Sequence, residues 1–143
     1  MNIERITARP GQRGFTLIDL VIAIAIVAIL TRIALPSYQA YLVRASRQSA
    51  QSELVALANA QEKIFLNSNA YTTSVTGAYT GQSSGGLGVP SGNTKDSRYA
   101  ISVAATATTF TLTATPATGT PQAGDGNLTI TEQNARTWGT KTW

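Results

Sequence analysis

The chain has 143 residues, 43% of them hydrophobic and only 13% charged, with a formal charge of +4. It contains neither His nor Cys, which removes disulfides, zinc fingers, cysteine nucleophiles and Ser-His-Asp triads together. Seven carboxylates are left for acid chemistry, so the sequence reads as a non-enzyme that needs no metal or cofactor.

Residues 1–14 hold Glu4, Arg5, Arg9 and Arg13 beside Pro10, Gly11 and Gly14, a short basic leader too polar to fold alone. The composition then inverts. Phe15 to Leu30 is apolar except for Thr16 and Asp19. As a helix this run rises about 24 Å at 1.5 Å per residue, and after Arg32 the apolar character resumes to Val43. Arg32 can carry its charge to the headgroups on its aliphatic stem. Bases before the segment orient the N-terminus towards the cytoplasm. A secretory signal peptide and a plain membrane anchor fit this outline. The first lacks a clean A-x-A site after Leu30.

From Ser37 to Asn67 there is neither Gly nor Pro. Leu54, Leu57, Ala58, Ile64 and Phe65 recur at helical spacing and predict one apolar stripe, with Arg44, Arg47, Glu53, Glu62 and Lys63 on wet faces. The expected object is one long helix from Phe15 to about Asn67, apolar all round in its first half and amphipathic in its second. Pro36 within it removes one hydrogen bond and clashes with the Arg32 carbonyl, predicting a kink.

Residues 70–97 form a connection rich in Gly, Ser and Thr, with Gly85-Gly86-Leu87-Gly88 read as flexible and no phosphate-binding pattern. From 98 onward the chain is rich in threonine, a strand former. Alternation predicts strands around Ile101–Val103, Phe110–Thr115 and Leu128–Thr131, a turn at Ala107-Thr108 and a loop over Pro116–Gly126. The fold class is therefore α+β: a long helix on a small antiparallel sheet. Asp125 between two glycines lacks the spacing of an EF-hand, and Asn127-Leu128-Thr129 is a chance-level sequon. The basic residues Arg44, Arg47, Arg98, Arg136 and Lys141 read first as solvated surface and second as a route to nucleic acid.

The string Arg13-Gly14-Phe15-Thr16-Leu17-Ile18-Asp19-Leu20 resembles the processing motif of type IV pilins of the short-leader IVa group. Ala34-Leu35-Pro36-Ser37-Tyr38-Gln39-Ala40-Tyr41 is similar to the segment that follows the membrane part in that family. The resemblance implies three parts: a leader, 1–14, removed by a prepilin peptidase; an assembly helix, 15–36; and a head, 37–143, with its sheet over 98–143. It implies cleavage after Gly14 and methylation of Phe15. It also implies an assembly charge pair between Asp19, where the family usually has Glu, and the amino terminus of a neighbour's Phe15. Pro36 marks the segment that loses helix on packing. Ala28 stands where the family often has Gly, which predicts less melting.

The implied partners are a homo- or hetero-polymer of pilins, the peptidase, an inner-membrane assembly platform and the membrane. The implied location is the inner membrane for the precursor and the cell surface for the filament, serving adhesion, twitching motility or DNA uptake. A secretion-system pseudopilin and an anchored adhesion module that never polymerises are the competing readings. The family often closes its C-terminal end with a disulfide. This chain predicts that packing, with Trp138 and Trp143, replaces it.

Overall fold

A computed structural model describes residues 15–143. The predicted cleavage point beside Gly14 and the basic leader lie outside the described residues. Helix α1 runs Leu17–Ser68 with Pro36 inside it. The expected boundaries, Phe15 and Asn67, are each within two residues. Five strands follow: β1 Tyr99–Ala105, β2 Phe110–Pro116, β3 Leu128–Thr131, β4 Arg136–Trp138 and β5 Lys141–Thr142. They pair antiparallel in chain order. The predicted α+β class is the one observed. Two compact units divide the chain, one ending at Tyr38 and the other spanning Gln39–Trp143.

In the first unit the helix buries nothing. Every residue from Phe15 to Tyr38 is exposed, and this is the helix long and apolar enough to cross a membrane. Thr31 satisfies its own hydroxyl by donating to the Val27 carbonyl at 2.7 Å, so a polar side chain sits in this stretch without an orphaned donor. Pro36 supplies no N–H, and the Ser37 hydroxyl reaches back to the Ile33 carbonyl at 3.4 Å.

The second unit is the head. Its helical portion buries Ser46, Ala50, Leu54, Ala58, Gln61 and Ile64, a stripe at three- and four-residue spacing. Leu57 and Phe65, also predicted on that stripe, are half-buried at its margin. The stripe joins one continuous core with Tyr99, Ile101, Phe110, Leu112, Ala114, Leu128 and Ile130 from the sheet. The strands alternate as predicted. β2 turns Phe110, Leu112 and Ala114 inward and Thr111, Thr113 and Thr115 outward. Register carries the outward residues into a row, Ser102 to Thr113 to Thr129 to Thr137 to Thr142, one from each strand. The β1–β2 connection at Ala107-Thr108 is closed by Thr106 and Thr109, whose hydroxyls meet at 2.7 Å.

The helix ends where Asn69 takes φ 53° and its N–H donates to the Phe65 carbonyl at 2.7 Å. Asn tolerates this left-handed cap position better than other non-glycine residues. The connection beyond is more ordered than its composition suggests. Gln61, fully buried, donates to the Thr72 carbonyl at 2.8 Å and accepts the Thr72 N–H at 3.0 Å. The segment read as flexible is instead folded tightly back on residues 74–78. Gly86 donates to Ala78, Leu87 to Ser74, Gly88 to Gly77 and Val89 to Val75. Leu87 enters the core, and a Cβ on Gly86 would lie 2.3 Å from the Gly77 carbonyl oxygen. Those glycines permit close approach of backbone to backbone rather than mobility.

Candidate functional site

Two places carry the chemistry of this chain: the start of α1 and a buried polar cluster in the head.

At the start of α1, Thr16 and Asp19 form a reciprocal cap. The Thr16 Oγ1 accepts the Asp19 N–H at 3.3 Å, and Asp19 Oδ2 accepts from the Thr16 N–H at 3.1 Å and from its hydroxyl at 2.6 Å. This is a capping box, in which an N-cap residue and one three positions on satisfy each other's donors. The carboxylate also faces the positive end of the helix dipole. Asp19 is thereby tied to Thr16, the residue after Phe15, which the resemblance implies as the new amino terminus. Phe15 itself is 88% exposed.

The head cluster was not legible beforehand. Arg47, read as belonging to a wet face, is ion-paired with Asp125, the two side chains being only 17% and 6% exposed. Arg47 Nε donates to Asp125 Oδ2 at 2.8 Å. The Tyr99 hydroxyl also donates to Asp125. Gln122 Nε2 reaches Asp125 Oδ2 at 2.7 Å, the Tyr99 hydroxyl at 2.6 Å and the Val43 carbonyl at 3.3 Å. The Arg47 guanidinium lies 3.6 Å from the Trp138 ring centroid, and the Trp138 indole donates to the Asp125 carbonyl. Gly126, at φ +92°, leaves space for that indole: a Cβ there would stand 3.3 Å from Trp138 Nε1. Trp143 is anchored by its Nε1 donating to the Thr137 carbonyl at 2.8 Å. The loop after β2 is therefore pinned by a charge clamp and by Trp138, while Trp143 is tied to β4.

Desolvation and hydrogen bonding oppose each other here. Burial disfavours the Asp125 carboxylate, but bonds from Arg47, Tyr99 and Gln122 outweigh it and hold the carboxyl below its ordinary 3.8. The bond to Asp125 raises Arg47 above its ordinary value. Burial, then Asp125, pushes the Tyr99 hydroxyl up. Burial and the neighbouring Glu62 push Tyr71 up to about 12. A depressed acid stabilises the fold above its ordinary value and ceases to as pH falls through its folded value. A raised tyrosine stabilises below its ordinary 10.0 and ceases to as pH climbs through its folded value. The melting temperature of the full chain in detergent, followed by circular dichroism, is expected to be flat between about pH 5 and 9 and to fall on both sides. A curve still rising below pH 4 would contradict the clamp.

The Asp125 carboxylate is taken up by Arg47, Tyr99 and Gln122. Among the described residues no group of three or more carboxylates is placed to hold a metal. Of the basic residues singled out from the sequence, the clamp consumes Arg47. Arg44 and Lys141 are exposed, and Arg98 and Arg136 are half-buried.

An exposed apolar helix continued into a sheet-backed head is the architecture of a pilin-type subunit. A model of the prokaryotic N-terminal methylation motif matches residues 9–34. A second model, described as "Type IV minor pilin ComP, DNA uptake sequence receptor", matches residues 36–129. The chain belongs to this type IV pilin family. It is 44% identical over 66 residues to a fimbrial protein of Pseudomonas aeruginosa, covering 46% of this chain and 43% of that protein. It is 40% identical over 63 residues to the type IV major pilin protein PilA of Myxococcus xanthus, covering 44% and 29%. With a fimbrial protein of Neisseria meningitidis it shares 44% identity over 71 residues, covering 47% and 39%. The chain thus spans less than half the length of these curated relatives.

Proposed function

We propose that the chain is a structural subunit of a type IV pilus. The precursor is cut after Gly14, Phe15 is methylated, and the product polymerises through α1. The observation that carries this reading is the helix face. From Leu17 to Leu35 the apolar side chains point in every direction and none is buried. Such a helix requires lipid or a bundle of its own kind around it, and a subunit that passes from membrane to filament meets both in turn. Asp19 at the first turn then pairs with the amino terminus of a neighbour, setting the register of the bundle. The precursor resides in the inner membrane and the filament on the cell surface. The peptidase and an assembly platform act on it there.

The test is N-terminal mass analysis of protein sheared from cells. A chain beginning with methylated Phe15 is expected. A chain confined to membranes and still starting at Met1 overturns the reading in favour of an anchored adhesion module.

A second role, recognition of DNA during uptake, is favoured by the description of the matching family and by Arg44, Arg98, Arg136 and Lys141, which the clamp leaves outside it. Duplex DNA binding that weakens steeply with salt would support it.

A further inference from the structure

The head carries an apolar knob and an apolar groove that do not meet each other. Leu66 is 81% exposed, the most exposed large apolar residue of the head. The groove, about 360 Å³, lies between α1 and the folded-back connection, with Leu57, Leu87, Val89 and Pro90 on its walls and Glu53 at its rim. A lone exposed leucine is ordinary; its relation to the groove is what distinguishes this one. Leu57 and Leu66 are nine residues apart on one helix, which is two and a half turns. They therefore face opposite ways, about 14 Å apart along the axis.

Both signs of charge line the groove, Glu53 and Lys95, and Glu53 is the one that suits the knob. Lys63, three residues before Leu66 and exposed, flanks the knob. Among the described residues the Glu53 carboxylate accepts only the main-chain N–H of Lys95, at 3.2 and 3.3 Å, and has no cationic side chain as a partner.

We propose that Leu66 of one copy seats in the groove of the next, with its Lys63 against the neighbour's Glu53. The proposal rests on the pilin reading and adds to it a contact between heads. A knob and a groove on opposite faces cannot be satisfied by a two-fold pair. The contact is heterologous, and repeated it propagates in a line instead of closing a dimer. It places partners about 14 Å out of step along the helix direction where their helices run parallel.

The absence of cysteine makes the experiment clean. The full chain carrying both Leu66→Cys and Val89→Cys is assembled on cells, sheared off and mildly oxidised. A ladder of disulfide-linked oligomers is expected, with monomers from each single variant. In a separate charge exchange, Glu53→Lys lowers filament yield, and adding Lys63→Glu restores it. Filaments in which both cysteines react with a maleimide yet form no disulfide overturn the proposal. Dimers without higher species overturn its head-to-tail form. Failure of the unsubstituted chain to enter sheared filaments is a different result: it removes the pilin reading and this contact with it.

Discussion

Replacing Asp125 with Ala is expected to cost the head about 3 kcal/mol, because breaking a buried ion pair strands the remaining charge. The stranded group is the Arg47 guanidinium under Trp138, and the Tyr99 hydroxyl and Gln122 amide lose their acceptor with it. For a head of this size each kcal/mol is worth several degrees, so the melting temperature should fall by about 12 °C or more. Arg47→Ala should cost a similar amount, leaving the carboxylate stranded instead. The double variant Arg47→Met, Asp125→Leu is expected to recover much of the loss, since well-packed apolar residues often replace a buried pair without penalty. The check is a double-mutant cycle by thermal denaturation of the full chain in detergent. Losses below about 1 kcal/mol for both single variants would place the pair among ordinary surface bridges and remove the clamp.

The other large effect is expected at the start of the helix. Asp19→Val should leave cleavage intact while reducing filaments on the cell surface by more than about tenfold, equivalent to 1.4 kcal/mol or more per contact. An acid within a membrane segment costs about 2.5–3.5 kcal/mol on insertion scales, so the valine precursor inserts at least as well. On the proposed reading, what it loses is the partner for a neighbour's Phe15 amino group. Two companions isolate that cause. Thr16→Ala removes the cap, worth about 1 kcal/mol, but keeps the charge, and filaments should persist. Gly14→Ser or a larger residue should stop cleavage itself, leaving uncut precursor in the membrane. Immunoblots of sheared and membrane fractions, with the N-terminus read by mass, distinguish all three. Normal incorporation of the Asp19→Val chain would remove the charge pair from the account.

The parts of this molecule that could be read in advance are those written in local periodicity. Leu54, Ala58 and Ile64 announce their face because helical spacing repeats within a few residues. Phe110, Leu112 and Ala114 announce theirs because strand alternation does the same. The processing string was legible because it is contiguous and abuts an apolar run. β4 and β5 were not. Arg136-Thr137-Trp138 and Lys141-Thr142 are too short to alternate; pairing with β3 makes the first a strand, and pairing with β4 the second. The clamp was hidden for a different reason. Arg47 and Asp125 are 78 positions apart, and each alone has the character of a surface residue. Only the fold shows that they share a desolvated space. Gln61 and Gln122 were passed over for the same cause, polar residues whose burial depends on partners distant in sequence. The glycine-rich connection misled in the opposite direction: composition suggested slack where Gly86 serves tight packing.

The row of hydroxyls from Ser102 to Thr142 extends to a whole sheet face. Ala100, Ala104, Thr111, Thr115 and Thr131 complete it, and none of its side chains is titratable. Mobile ions can only screen a field that charges have set up, and this face sets up none of its own. Adhesion to it should therefore respond to salt less than adhesion to the exposed Arg44 and Lys141.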